Sequence, residues 1–434
     1  MSGSDRYARG IAAAIPLLAA LGACGGQDQP SPTAPPAPAA TREERWLQDI
    51  DYLASELPRL HPNLFYRTPR GEFDAVVAAV RQAAPAARDH EIVAGLMRVA
   101  AVAGDAHTSV WRWRGFRHLP LELTRLADGL YVTAAEPRLA ATLGLRVAAI
   151  GGVPAAELEA RATPFVSHEN EAWLRVQVPQ ILAIPEMLHV LGAATDPGVA
   201  SFRLEAADGA RVEMEVAALA APATLVDAAT AAGASPPLHQ QRRGENYWLT
   251  LLPESRTLYL QYNRCQNAAE PFASLAERAF AELARGAADR LVVDVRHNGG
   301  GDSRVDDRLI EGLRDRAAWR EPGRLYCLIG GETFSSGMWT ADDLRRLGAV
   351  LVGGPTGGKP NSYGNVSTLQ LPNSLLQVGY STRYYQLVSG SDPPWLAPDL
   401  AVEPTIEDLR DGRDPLLEAV MAGGRRSGAL TTRR

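Results

Sequence analysis

Short apolar runs alternate with amphipathic stretches through the second half of this 434-residue chain, and this alternation limits its fold more than any other feature. The runs at 258–262, 291–295, 325–329 and 349–352 have the length of buried strands, and helical spacing separates them. The last three lead into glycine-rich turns. Strands that alternate with helices in this way are typical of α/β folds. We therefore predict an α/β core over 246–425.

The N-terminal part of the chain carries helical signals instead. The sequence TREE at 41–44 is a capping box, in which a threonine and a glutamate satisfy backbone N–H groups of the first turn. Helical periodicity follows this box and recurs at about 73–84 and 91–103. We therefore expect an α-rich N-terminal unit over 41–110.

Between these two parts the pattern changes to strands. Short apolar runs separated by turn residues fill 111–219, which predicts a β-rich middle segment. Within it, 143–152 (LGLRVAAIGG) is reminiscent of a PDZ-type strand and turn, and a generic β-rich spacer explains the same pattern equally well. The Ala-rich stretch that follows has little periodicity, so we expect a linker over 220–245.

The N-terminus has the pattern of a targeting segment. A short basic region precedes an apolar run from Ile11 to Leu21, which is too short to span a bilayer and fits a signal peptide. The run ends in LGAC, which resembles the bacterial lipobox. This predicts a lipoprotein signal peptide over 1–23 and a lipid on Cys24. An ordinary signal peptide with a chance cysteine is the alternative.

Two further segments have compositions that are typical of regions outside a folded domain. A Pro- and Ala-rich stretch predicts a flexible tether over 24–40, and a basic tail predicts disorder over 426–434. With the lipid on Cys24, we expect a protein of the cell envelope, anchored to the membrane and facing the periplasm or the exterior. The net charge of −6 argues against a nucleic-acid partner, which would favour a basic face.

Lysine is almost absent from the chain. Of 44 basic residues, all except Lys359 are arginine. Lys359 ends the sequence GGPTGGK at 353–359, which has the spacing of a phosphate-binding P-loop. Pro360 follows where a P-loop needs Ser or Thr, so we reject a nucleotide site. Because a desolvated lysine can lose its proton and arginine cannot, Lys359 is a candidate base.

A serine pair lies at a predicted strand-to-helix turn. The sequence GGETFSSG at 330–337 leaves an apolar run and enters a helical stretch, so it presents Ser335 and Ser336 at a helix N-terminus. There the backbone N–H groups can stabilise an oxyanion. Helix capping is the simpler role for a serine at this position.

A glycine-rich loop follows the preceding strand. Its sequence DVRHNGGG at 294–301 lacks the spaced glycines of a dinucleotide-binding fingerprint. Consecutive glycines let a backbone approach a ligand closely and offer N–H groups to an anion. A tight turn without function is the alternative. No Cys/His spacing indicates a metal, and Cys265 and Cys327 are expected to be buried thiols or a disulfide.

Together, the loop DVRHNGGG, the turn TFSSG and the loop GGPTGGK resemble, in this order, the motifs of the tail-specific, or C-terminal-processing, serine peptidases (serine peptidase family 41). The resemblance implies a ClpP/crotonase-like α/β fold without metal or cofactor, which cleaves unstructured polypeptide. It implies that Ser336 attacks the scissile carbonyl and that Lys359 takes its proton. Ser335 is the alternative nucleophile.

The resemblance also implies an oxyanion hole, made by the N–H groups of Gly299 or Gly300 with that of Gly337. One departure is Trp339, which stands three residues after Ser336 where the family has glutamate. A second candidate base is His107, because DAHT at 105–108 is similar to the DxHT segment of a tricorn-like branch of these peptidases.

The predicted function is therefore a serine-type endopeptidase with a polypeptide substrate and an acyl-enzyme on Ser336. A non-catalytic ligand- or peptide-binding protein on the same fold is one alternative, because a fold alone does not establish activity. An esterase or amidase that uses the same residues is another.

Overall fold

The computed structural model describes residues 30–111 and 115–423, so Cys24, the signal peptide and the tail at 426–434 lie outside the described residues. The chain divides into two compact units. Unit 1 takes the described residues up to Thr124, together with 134–225 and 361–392. Unit 2 takes 125–133, 226–360 and the described residues from Pro393 onward. None of the described helices is both long and apolar enough to cross a membrane.

Helices and strands alternate through both units. The α-helices of the described residues are, in chain order, α1 Arg42–Leu60, α2 Arg70–Ala83, α3 Asp89–Ala101, α4 Ala155–Ala162, α5 Glu171–Leu182, α6 Pro185–Val190, α7 Ala228–Ala231, α8 Leu238–Gln241, α9 Phe272–Ala284, α10 Asp307–Arg314, α11 Ser336–Arg346, α12 Ile406–Arg410 and α13 Pro415–Gly423. The strands are β1 Ser109–Val110, β2 Leu121–Arg125, β3 Leu130–Ala135, β4 Arg146–Ile150, β5 Val153–Pro154, β6 Val199–Glu205, β7 Arg211–Ala217, β8 Val226–Asp227, β9 Tyr247–Leu252, β10 Thr257–Tyr262, β11 Arg290–Asp294, β12 Leu325–Ile329, β13 Val350–Gly353, β14 Asn361–Gln370, β15 Gln377–Gln386 and β16 Leu400–Ala401.

The first three helices of unit 1 form where their periodicity predicts them. The capping box is present at the start of α1, since the Thr41 side chain accepts from the N–H of Glu44 and the Glu44 carboxylate accepts from the N–H of Thr41. The apolar face of α1 is buried, including Ile50, Leu53 and Leu57.

The described part of the predicted tether lies along α1 and hydrogen bonds to it. The N–H and hydroxyl of Thr33 donate to the buried Glu56 carboxylate at 2.8 and 2.9 Å, and the Tyr52 hydroxyl donates to the Thr33 carbonyl at 2.7 Å. A Pro- and Ala-rich composition does not reveal such contacts, because they depend on polar atoms of a helix some twenty residues away.

The middle segment of unit 1 contains more helix than its sequence pattern indicates. Antiparallel strands β4, β6 and β7 form a sheet, as predicted, and α4, α5 and α6 lie between β5 and β6 in sequence. The turn after β4 needs glycine, since Gly151 has φ +59° and a Cβ there would lie 1.6 Å from the Ala193 carbonyl oxygen. This contact with the turn after α6 explains Gly151, and a φ of +79° explains Gly152, so neither glycine requires a PDZ domain. The PDZ-like resemblance is not confirmed.

A long antiparallel hairpin completes unit 1. Strand β14 pairs with β15 from Asn361↔Gln386 to Gln370↔Gln377, and β1 pairs with the other edge of β15. The buried carboxylate of Asp49 on α1 accepts the N–H groups of Asn373 and Ser374 in the hairpin turn, both at 2.8 Å. These contacts place the hairpin in unit 1, although its sequence lies inside the stretch predicted as the core.

Unit 2 is built on a sheet of six strands in the order β16-β13-β12-β11-β10-β9. Strands β10 to β13 and β16 are parallel, and β9 is antiparallel to β10. Every residue of β10 and β12 is buried, as expected for parallel strands covered on both faces. One apolar cluster joins Tyr259, Val292, Leu328 and Val352 of the sheet to Leu416 of α13. The prediction of an α/β core is confirmed.

Candidate active site

The glycine-rich loop and the serine turn lie side by side in unit 2. They follow β11 and β12, which are neighbouring parallel strands, so both loops leave the same edge of the sheet. The N–H of Phe334 donates to the Asn298 carbonyl at 2.9 Å. The Thr333 hydroxyl donates to the Val295 carbonyl, also at 2.9 Å. Two of the three sequence motifs are therefore hydrogen-bonded to each other.

The two loops approach so closely that only glycine fits at the contact. A Cβ at Gly337 would lie 2.4 Å from the Asn298 carbonyl oxygen, and a Cβ at Gly300 would lie 2.7 Å from the Cβ of Ser335. Gly300 also has φ +103°, a conformation that disfavours any side chain. The glycines predicted to approach a ligand thus approach the serine turn itself.

Ser335 has an unusual backbone conformation. Its φ of 49° and ψ of −128° are rare for a residue with a side chain, and holding such a conformation costs about 1–3 kcal/mol. Ser335 stands at the N-cap position of α11, but its side chain makes no capping hydrogen bond. Helix capping therefore does not account for Ser335. This geometry is typical of a nucleophile elbow, in which a sharp strand-to-helix turn exposes a hydroxyl.

Ser336 is held differently. Its hydroxyl donates to the Gly301 carbonyl at 2.7 Å, and the residue is only 8% exposed. This hydrogen bond joins the first residue of α11 to the glycine loop and commits the hydroxyl proton to a carbonyl oxygen. A hydroxyl in this state must break the bond before it can pass its proton to a base.

The N–H groups around the serines differ in whether they have acceptors. Gly300 donates to Asn298 Oδ1 at 2.9 Å, and Gly337 donates to the Phe334 carbonyl at 2.9 Å. Within 30–111 and 115–423, the N–H groups of Gly299 and Ser336 have no acceptor. Of the predicted oxyanion donors, Gly299 is therefore the one whose N–H is available, and Ser336 contributes a second N–H that the sequence reasoning missed.

The loop that carries Lys359 packs against the serine turn through its neighbouring residue. The N–H of Gly358 donates to the Thr333 carbonyl at 3.0 Å, and a Cβ at Gly358 would lie 3.2 Å from the backbone nitrogen of Ser335. The Thr356 hydroxyl donates to the Gly358 carbonyl at 2.8 Å and so fixes the turn. Lys359 itself is partly buried. All three motifs therefore meet around Ser335.

A buried ion-pair network anchors the base of the glycine loop. The Arg296 guanidinium donates to both carboxylate oxygens of Asp414, each at 2.9 Å, and its Nε donates to Asp294. Burial lowers the pKa of Arg296, but the two carboxylates outweigh burial and raise it. The network connects the end of β11 to the residue before α13. The sequence indicated Asp294 and Arg296 as a motif without indicating their partner.

A histidine pair beside the glycine loop was missed by the sequence analysis. The Nδ1 atom of His239 lies 2.8 Å from Nε2 of His297, and Nδ1 of His297 lies 3.2 Å from the Glu332 carboxylate. Arg243 donates to the same carboxylate at 2.9 Å. Burial and the nearby Arg296 charge lower the pKa of His239 well below its ordinary value, so this pair is neutral at pH 7.

His107, the alternative base, belongs to unit 1. It follows α3 beside the fully buried Asp105, whose carboxylate accepts from the Thr108 and Ser381 hydroxyls at 2.5 and 2.6 Å. Although burial raises the pKa of Asp105, the hydrogen bond from His61 and the charge of His107 lower it to about 2. Burial lowers the pKa of His107, more than the Asp105 charge raises it. A neutral imidazole is the form that can accept a proton.

The two described cysteines are free thiols. Cys265 and Cys327 are both buried, and no disulfide joins them. The Cys265 thiol donates to Asn298 Oδ1 at 3.4 Å, and burial raises its pKa to about 12. Burial likewise raises the pKa of Cys327 well above its ordinary value. Both thiols therefore stay protonated, and of the two expectations from sequence the structure has the buried thiols rather than the disulfide.

Comparison with solved structures identifies the fold. Mature CPAF complexed with lactacystin matches with a TM-score of 0.62 and 13% identity over 88% of this chain and 98% of that chain. A CPAF mutant matches with a TM-score of 0.64 and 12% identity over 90% and 99%. The photosystem II D1 C-terminal processing protease matches with a TM-score of 0.41 and 14% identity over 87% of this chain and 100% of that chain. No protein-family model and no curated protein matches the chain.

At identities this low, the CPAF matches establish the fold and nothing finer. The chain shares its fold with CPAF, and the predicted mixed α/β architecture is confirmed. The role of each site residue rests on the geometry given above.

The histidine pair predicts how stability depends on pH. Because the folded-state pKa of His239 and of His297 lies below 6.5, the unfolded chain binds more protons at mildly acid pH. The contribution of this neutral pair to the free energy of unfolding is therefore fully present above about pH 6.5. It falls as the pH decreases, by at most about 1.4 kcal/mol per pH unit for each histidine. We expect His239→Gln to flatten the slope of the urea unfolding free energy between pH 7.5 and 5.5. An unchanged slope in this variant would contradict the assignment of a neutral buried pair.

Proposed function

We propose, on the premise of a tail-specific peptidase fold, that this protein is a serine-type peptidase that cleaves unstructured polypeptide through an acyl-enzyme. We further propose that Ser335, rather than the Ser336 favoured from sequence, is the nucleophile. The observation that carries this proposal is the strained, uncapped backbone of Ser335 at the point where the three motifs meet. Strain of this kind persists where the surrounding structure enforces it, and it clusters at active sites.

The reaction follows from the atoms around Ser335. Its Oγ attacks the scissile carbonyl carbon and transfers its proton to the base, which forms a tetrahedral intermediate. The intermediate collapses when the peptide nitrogen takes the proton and leaves, and the acyl group stays on Oγ. Water, deprotonated by the same base, then attacks the ester and releases the new C-terminus.

The oxyanion of this intermediate needs hydrogen-bond donors that are not already engaged. The free N–H of Ser336, immediately after the nucleophile, and that of Gly299 meet this condition. This assignment gives Ser336 a backbone role and a structural hydroxyl. Gly300 and Gly337 act as spacers, since their N–H groups have acceptors within the two loops.

Lys359 is the base that the geometry of unit 2 supports. Gly358 packs against the backbone of the serine turn, so the backbone of the following residue, Lys359, lies close to the proposed nucleophile. Lys359 is partly buried, and lysine, unlike arginine, is a residue type that enzymes use as a general base. His107 remains the alternative base, as a neutral imidazole oriented beside Asp105.

We also propose that the protein is lipid-anchored at Cys24 and acts at the cell envelope, facing the periplasm or the exterior. The support is the apolar run that ends in the lipobox-like sequence LGAC. Cleavage at an envelope site fits a polypeptide substrate and requires no nucleic-acid partner or cofactor.

The two serines predict opposite effects when each hydroxyl is removed. Ser335→Gly removes the nucleophile and relieves the positive φ, so we expect turnover of an unstructured peptide to fall about 10³-fold or more. The unfolding free energy should stay unchanged or rise by about 1 kcal/mol. The matched control, Ser336→Ala, loses the hydrogen bond to Gly301 and about 1 kcal/mol, and should keep turnover within about tenfold.

A peptide with a free C-terminus and steady-state kinetics provide the measurement for both variants. Turnover that survives in Ser335→Gly and disappears in Ser336→Ala would reverse the assignment. If the wild-type protein cleaves no peptide but hydrolyses small esters, the esterase alternative replaces the peptidase. If it does neither and still binds peptide, the non-catalytic reading holds.

The choice of base is decided by a second pair of variants. Lys359→Arg keeps the charge and removes the base, so kcat should fall about 10²–10⁴-fold with a smaller change in KM. His107→Ala should reduce kcat less if Lys359 takes the proton. Normal turnover in Lys359→Arg together with an inactive His107→Ala would show that His107 is the base.

A further inference from the structure

Two histidines and a glutamate from separate helices of unit 1 converge away from the residues discussed above. His90 and Glu91 lie in the first turn of α3, and His189 lies in α6. One ligand atom from each of the three residues lies within 4.8 Å of the others. The two imidazole ring centroids are 5.3 Å apart. Side chains from two helices therefore present nitrogen and oxygen donors to one small volume.

His90 is buried with an unused ring nitrogen. The residue is 8% exposed, and among the described residues its Nε2 atom has no hydrogen-bond partner. A buried polar atom without a partner costs about 1–3 kcal/mol. Such atoms are rare in folded proteins, and each one calls for an explanation.

The tautomer of His189 is set by its environment. Its Nδ1 atom lies 2.9 Å from the Ala194 carbonyl oxygen, which can only accept a hydrogen bond. Nδ1 therefore carries the proton, and Nε2 presents a lone pair. This arrangement, with one ring nitrogen bonded to a carbonyl and the other free to donate its lone pair, is how metal-binding histidines are usually held.

Glu91 and Arg88 complete the surroundings. The Glu91 carboxylate lies 3.6 Å from His189 Nε2, and its second oxygen accepts the N–H of Arg88 at 2.7 Å. The Arg88 guanidinium, on a side chain that is 55% exposed, hydrogen bonds to His189 Nε2 at 2.8 Å. Arg88 thus occupies the lone pair of His189 Nε2, and its Nε also lies 3.8 Å from the Glu91 carboxylate. Both contacts involve an exposed side chain, which can move away.

We propose that His90, Glu91 and His189 form a binding site for a divalent transition-metal ion of the Zn²⁺ class. Two imidazoles and one carboxylate suit Zn²⁺, Co²⁺ or Ni²⁺, and a water would fill the fourth position. Ca²⁺ and Mg²⁺ prefer sites made of oxygen atoms and are not expected to bind. The ion would connect the start of α3 to α6 and stabilise unit 1, because it binds the folded chain and not the unfolded one.

A second group of potential ligands in unit 1 does not qualify. Asp105, His107 and Glu169 also offer atoms within 4.8 Å of one another. The carboxylate of Asp105, however, already accepts hydrogen bonds from the His107 N–H, the Thr108 and Ser381 hydroxyls and His61. An ion there would have to displace several of these bonds. The site at His90 requires only that one exposed arginine side chain moves.

The test uses the full chain without an affinity tag and does not depend on the proposed peptidase activity. Titration with Co²⁺ should produce one equivalent of visible d–d absorption, which Zn²⁺ displaces. His90→Gln and His189→Gln should each weaken Zn²⁺ binding at least about tenfold in a chelator competition. The matched control, His168→Gln, changes a partly buried histidine of the same unit outside the cluster and should leave the affinity unchanged.

Arg88 supplies the sharpest comparison. Arg88→Gln removes the guanidinium that competes for His189 Nε2, so Zn²⁺ should bind more tightly than to wild type, and circular dichroism should confirm an unchanged fold. His189→Gln carries the test if His90→Gln does not fold. The proposal is overturned if wild type binds no Co²⁺ or Zn²⁺, or if binding is the same in His189→Gln. Unchanged or weaker binding in Arg88→Gln would also count against it.

Discussion

The geometry of unit 2 depends on the close packing of the loop after β11 against the turn after β12. Both loops leave neighbouring parallel strands, and backbone hydrogen bonds from Phe334 and Gly358 tie the turn to the loops on either side. A Cβ at Gly300 or Gly337 would collide with the other loop. With the loops this close, the chain can enter α11 only through a tight turn, and Ser335 adopts its positive φ there. Arg296, held between Asp294 and Asp414, fixes the base of the loop from the other side.

Much of this arrangement could be predicted from the sequence because it is local. The strand at 325–329 was predicted to the residue, and β11 and β13 to within one residue at either end, since short apolar runs bounded by glycine have few alternatives. The three motifs also lie together because each follows one of three consecutive strands, β11, β12 and β13, which are neighbours in the parallel sheet. The choice between Ser335 and Ser336 could not be predicted. Adjacent serines have the same chemistry, and only the backbone torsions and the partner of each hydroxyl separate them.

Features that depend on long-range contacts were harder to predict. The hairpin of β14 and β15 lies within the stretch of sequence that was predicted as the α/β core. In the structure it belongs to unit 1, because it pairs with β1 and hydrogen bonds to the Asp49 carboxylate. The histidines at 90 and 189, like those at 239 and 297, are far apart in sequence and match no metal or catalytic spacing. A lone histidine carries no signal by itself. Its meaning here comes from the side chains that the fold places beside it.

The central claim is that Ser335 supplies the reacting hydroxyl and that Ser336 supplies a backbone N–H. The most direct measurement is to label the wild-type protein with a fluorophosphonate, digest it, and locate the adduct by fragment-ion mass spectrometry. The structure predicts an adduct on Ser335, which is lost in Ser335→Gly and retained in Ser336→Ala. An adduct on Ser336, retained in Ser335→Gly, would contradict the account.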